Sequence, residues 1–149
     1  MKKFILLSLT LMLMACTAGG ASEFDKNKAT WDNANISHYR YTLSVSCFCV
    51  FMDDMPVTAE IQNDQVVSIT SVKGTVIDST DQQVYPFVEP YATIDQLFEQ
   101  LKSAQADADE VTVVYDTTYG FPSSIAIDQI KEATDDELYL TIENFEVLK

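Results

Sequence analysis

The sequence predicts an α+β fold, with one curved antiparallel sheet and helices packed on one of its faces. Three observations lead there. Residues 39–49 alternate between apolar and polar side chains, the period of a half-buried strand. From Thr93 onward the apolar residues instead follow the period of an amphipathic helix. The other strand-like runs are joined by short, turn-rich segments, which pair neighbouring strands antiparallel.

The elements follow in order. A first helix is expected over about Glu23 to Ser37, where Ser22 and Asp25 approximate a capping box and Phe24 and Trp31 share a face. Asn33, Asn35 and Ser37 are weak helix formers near its end. Next, Tyr39, Tyr41, Leu43, Val45, Cys47 and Cys49 occupy one strand parity, and His38, Arg40, Thr42, Ser44 and Ser46 the other. "PVTAEI" and "VVSITSV", joined by "QNDQ", read as a hairpin, with Val57, Ala59 and Ile61 turned inward. Residues 73–92 read as loop, with Pro86 and Pro90 in it.

The second helix starts at Thr93, which forms a capping box with Gln96 and leads into Ile94, Leu97, Phe98, Leu101 and Ala104 on one face. "EVTVVYD", "SSIAIDQ" and "ELYLTIENFEVL" are three more strands, linked by "TTYGFP" and "IKEATDD". The order is α-β-β-β-α-β-β-β, and the similar rhythm of the two halves suggests a duplication.

Before the first helix, "MKK" is a short basic region and "FILLSLTLMLM" an apolar one of secretory-signal length. It ends in Leu13-Met14-Ala15-Cys16, which resembles the bacterial lipobox. Residues 1–15 are therefore expected to be a signal peptide, 16–24 a lipidated N-terminus on Cys16 with a short tether, and 25–149 a single domain. Each buried methylene contributes about 0.8 kcal/mol, so one acyl chain holds marginally and two or more hold stably. Thr17 follows the cysteine where Asp would signal inner-membrane retention; by resemblance to that sorting rule, in a Gram-negative host the protein is expected to face the periplasm from the outer membrane.

The chain carries a formal charge of −14, and loss of Lys2 and Lys3 with the signal leaves seven basic residues against 23 acidic ones, or −16. Such a surface repels nucleic acid and anionic headgroups, so no nucleic-acid partner is expected.

The lipobox together with "YRYTLSVSCFC", "PVTAEIQNDQVVSI", "TIDQLFEQLKSA", "VVYDTTYGFPSSIAIDQ" and "DDELYLTIENF" resembles a family of small bacterial lipoproteins catalogued as a domain of unknown function. The likeness runs from about Trp31 to Phe145. It implies a fold and a location, and no catalytic residue comes with it.

Cys47 and Cys49 are the first candidate site. An oxidising compartment favours a disulfide, yet residues i and i+2 of a regular strand lie about 6.5–7 Å apart, at or beyond the usual disulfide span, so a kink would be needed. The alternatives are two buried thiols, or a soft Cu(I) site formed by Cys47, Cys49, Met52 and Met55. His38 has the opposite parity and does not join them. Tyr115, Tyr119, Gly120, Phe121 and Pro122 form a candidate contact loop, or else a turn that tucks its rings onto the sheet. The acidic groups Asp53–Asp54, Asp107–Glu110 and Asp135–Glu137 read as solvated turns, with Asp135, Asp136 and Glu137 the best acidic-site candidates.

No G-x-S-x-G, H-E-x-x-H or Gly-rich phosphate loop is present, and neither catalysis nor a cofactor is expected. The expectation is a membrane-anchored binding or structural component of the envelope. Its partners would be the bilayer, through the N-terminal lipid, and another envelope protein. The alternative is a thiol-based redox or Cu(I)-binding protein using Cys47 and Cys49.

Overall fold

The structure, a computed structural model, describes residues 21–49 and 51–149. The expected signal peptide, Cys16 as the expected lipidation site and most of the expected tether lie outside the described residues. None of the described helices is long and apolar enough to cross a membrane.

Helix α1 (Glu23–Ala34) opens with a capping box: the Ser22 hydroxyl accepts the Asp25 N–H (3.1 Å) and the Asp25 carboxylate accepts the Ser22 N–H (3.2 Å). It stops three residues short of the expected Ser37. Asn35 adopts the left-handed conformation (φ 49°) that closes helices, and its N–H returns to Asp32 O. Strand β1 (His38–Ser46) follows, burying Tyr39, Tyr41, Leu43 and Val45 as the alternation predicts. Strands β2 (Val57–Gln62) and β3 (Gln65–Ser71) meet through Asn63 and Asp64, both at positive φ (51° and 60°), the two-residue turn that matches strand twist.

The segment expected to be loop holds two short helical turns, α2 (Tyr85–Val88) and a 3₁₀ turn (Glu89–Tyr91). Val84, Val88 and Ala92 are buried and pin it to the core. Helix α3 (Ile94–Asp107) has the expected capping box and buries the expected stripe, Ile94, Leu97, Phe98, Leu101 and Ala104. Strands β4 (Glu110–Tyr115), β5 (Pro122–Asp128) and β6 (Glu137–Val147) complete the chain.

All pairings are antiparallel and the sheet order is β3-β2-β1-β6-β5-β4, so the first and last strands lie side by side at its centre. The halves are not a rotational repeat. β4 runs opposite to β1 while the unit order is kept; a rotation doing this would turn the sheet over, yet both helices pack on one face.

The core lies between that face and the helices. Trp31 of α1 meets Tyr39, Phe121 and Phe145 edge-on (5.3, 6.1 and 5.9 Å), and Phe24 meets Phe98 (5.6 Å). Helix α1 thus crosses the end of the sheet where β1 begins. The Ile94 N–H donates to the Tyr39 hydroxyl (3.2 Å), and the Tyr41 hydroxyl donates to Tyr91 O (3.0 Å). Burial raises both phenol pKa values and keeps these rings neutral.

Candidate functional site

Alternation would carry β1 on through Cys49, but the strand ends at Ser46. There the Cys49 N–H donates to Cys47 O (2.8 Å), folding a tight turn around Phe48. The turn shortens the Cys47–Cys49 Cα separation to 5.2 Å, and the two sulfurs are bonded. This is the kink that a strand geometry lacked. Both cysteines pack half-buried against the end of the core, while Phe48 at the apex is 86% exposed.

Further apolar side chains flank the turn. Phe51 is buried and stacks on Phe87 (4.8 Å), itself 46% exposed. Met52 starts a 3₁₀ turn (Met52–Asp54) and, with Cys47, Phe48 and Cys49, lines a cleft of about 350 Å³. That turn is tied down by Val72 N–H to Asp54 O (3.4 Å) and by Lys73 on the Asp54 carboxylate (3.3 Å). Met55 is half-buried against the core. Bonded to one another, Cys47 and Cys49 cannot act as thiolate ligands, so the Cu(I) set of Cys47, Cys49, Met52 and Met55 is not formed in this state. Among the described residues no group of three or more His, Cys, Asp or Glu is placed to hold a metal ion.

The disulfide closes a loop with one residue between its ends. In the chain-entropy relation, three residues give about 1.6 kcal/mol of stabilisation, against about 3 kcal/mol for a loop of about 15. It fixes the shape of the tip and braces little of the fold.

The aromatic loop turns inward, the second of the two readings, in which the turn tucks its rings onto the sheet. Asp116 Oδ1 accepts the Thr118 and Tyr119 N–H groups (2.9 and 2.6 Å) and closes the turn. Gly120 (φ 79°) then lies so close to α1 that a Cβ would sit 2.5 Å from Asn27 O and 2.8 Å from Thr30 Cβ. Phe121 is buried on Phe145 (4.6 Å) and Pro122 is buried; Tyr119 packs half-buried on Phe145 (5.4 Å). Tyr115 stacks on Phe98 (6.4 Å), and burial, with Glu23 nearby, raises its phenol pKa.

The acidic residues act in turns. Asp136 Oδ2 accepts the Ile130 N–H (2.8 Å), and Asp109 accepts the Lys131 N–H (3.0 Å). Desolvation, then the charges of Asp136, Glu137, Glu110 and Asp109, raise the Asp128 pKa. Asp135 takes positive φ (68°) in the turn itself. His38 pairs with Glu60 (2.9 Å) across β1 and β2, away from the cysteines.

One feature escaped the sequence. A groove of about 520 Å³ runs beside the end of α1, where Asp32, Asp64 and Asp95 meet around Trp31. Its residues come from three segments. Lys28 bridges Asp32 and Asp95, whose pull outweighs the burial that opposes its charge and raises its pKa.

The fold and tip define an open six-stranded antiparallel sheet, helix-covered on one face, that ends in a disulfide-closed apolar turn. Residues 23–147 match the model of a family of unknown function, DUF6174, and the chain belongs to that family. Comparison with curated proteins and with solved structures found no match.

Proposed function

We propose that the protein is a bacterial envelope lipoprotein, held on the periplasmic face of the outer membrane through a lipid on Cys16, that binds another envelope component through its disulfide-closed tip. The lipobox and small-residue tether support the anchor. The binding role rests on Phe48, a phenyl ring 86% exposed beside the two sulfurs and Met52. Burying such a ring yields about 1.5–3 kcal/mol, and the covalent turn limits the ordering that docking would cost. The tip lies at the far end of β1 from α1, into which the tether leads.

Photo-cross-linking in intact cells tests the binding role, with p-benzoylphenylalanine replacing Phe48 and, as a control, Val67, which is 55% exposed on β3. A discrete adduct at 48 and none at 67 is expected. Equal adducts at both positions, or none at 48, would contradict the proposal.

A second reading is favoured by the one-residue loop of the disulfide, which braces little of the fold. In thiol–disulfide exchange, a partner's thiolate attacks one sulfur of the Cys47–Cys49 bond and forms a mixed disulfide. The partner's second thiol then releases two reduced cysteines here and leaves the partner oxidised, a two-electron transfer. Equilibration in glutathione buffers decides it: a potential below about −300 mV marks a structural bond and ends this reading.

A further inference from the structure

A six-stranded open sheet has two outer edges, and this chain treats them differently. The second half of the β3 edge, Ile69 to Ser71, is closed by its own chain. Ile77 N–H donates to Ile69 O (2.9 Å), Ser71 N–H donates to Thr75 O (2.8 Å), and Thr70 and Val76 form a bridge. The edge of β4 has no such cover. Among the described residues β4 pairs with β5 and with no other strand, and none of the backbone hydrogen bonds of turns and loops reaches residues 110–115.

Exposed edges in folded proteins usually carry lysine, proline or an early bulge to deter pairing. Strand β4, "EVTVVY", has no lysine and no proline, and its register stays regular from Glu110 to Val114. Val111, Val113 and Tyr115 are half-buried toward the helices, and Val114 is 56% exposed on the open side. An added strand would complete both the backbone ladder and the cover over the half-buried side chains.

Charge selects the occupant. Asp109, Glu110, Asp128, Asp136 and Glu137 gather where β4 begins, with Lys131 on Glu110 (3.3 Å). Glu23 and Asp116 lie where it ends, beside Tyr115. We infer that the outer edge of β4 is a docking site for an extended segment of a partner protein, with β-branched or aromatic residues at its centre and Lys or Arg at its ends. A second copy fits worse. It brings a charge of −14 and the same acidic ends, and antiparallel self-pairing about Val113 would set Glu110 against Asp116. The surface is separate from the Phe48 tip, so each can fail alone.

The test uses the full chain in detergent and a labelled peptide, Arg-Thr-Val-Thr-Val-Tyr-Arg, with a control of equal charge whose central Thr is Pro. The expected result is 1:1 binding of the first peptide and new amide-exchange protection over residues 110–115. The proline peptide should bind at least about tenfold more weakly, since it loses ladder hydrogen bonds. Val114→Lys, an exposed change that leaves the fold in place, should weaken the first peptide by a similar factor. Equal binding of the two peptides, or protection elsewhere, overturns the inference. So does protection of 110–115 that appears without peptide as the protein self-associates, which would make the occupant a second copy.

Discussion

Replacing Gly120 by alanine measures how tightly the "TTYGFP" loop is held against α1. Two costs combine at this position. The residue has φ 79°, where a Cβ costs an L-residue about 1–2 kcal/mol. The new Cβ would also meet Asn27 O at 2.5 Å and Thr30 Cβ at 2.8 Å, atoms fixed on a hydrogen-bonded helix and unable to swing away. Forcing a methyl into a filled site adds about 1–3 kcal/mol. Gly74 supplies the control: its φ is 81° and nothing lies within 4 Å of its Cβ position, so Gly74→Ala carries the backbone cost alone. Urea unfolding at 25 °C should show Gly120→Ala less stable than Gly74→Ala by about 1–3 kcal/mol. With an m-value of about 1.5 kcal/mol/M, the midpoint should fall by a further ~0.7–2 M. Equal midpoints for the two variants would refute the inward packing and restore the loop as a free contact surface.

Other expectations concern the tip and the acidic turn. Phe48→Ser should change stability by no more than about 0.5 kcal/mol, whereas Trp31→Ala, which empties a buried site touching three rings, should cost about 3–5 kcal/mol by the same assay. Reducing the disulfide should lower stability by no more than about 1.6 kcal/mol; a much larger loss would mean that the bond braces the fold. Asp128 has a pKa raised in the fold, so the folded state binds its proton more tightly than the unfolded chain does. Its contribution is present in full below the ordinary carboxylate pKa of about 3.9 and is lost as pH rises through the raised value. Asp128→Asn should flatten that part of the stability–pH profile; an unchanged slope would rule out this origin.

Much of the fold is legible in the residues because burial is periodic. The parity of Tyr39, Tyr41, Leu43 and Val45 gives β1 its inward face, and Ile94, Leu97, Phe98 and Leu101 give α3 its stripe. Asn63 and Asp64 announce their turn because few other residues tolerate positive φ. Parity does not say where a strand stops, so Cys47 and Cys49 read as its continuation until the turn at Phe48 bends them together. Val84, Val88 and Ala92 are core residues in a segment too short to show a period. The groove around Trp31 joins Asp32, Asp64 and Asp95, which only tertiary folding brings together. The bare edge of β4 is a matter of strand order, fixed when β6 takes the place beside β1.

The central claim is a lipid-anchored domain carrying a closed disulfide tip, and the intact mass of the chain exported in a bacterial host tests it most directly. Alkylation before and after reduction is read in the same sample. The account predicts a chain that begins at an acylated Cys16, takes up no alkyl group before reduction and takes up two after it, on Cys47 and Cys49. An unacylated chain, or two alkyl groups gained without reduction, would contradict it.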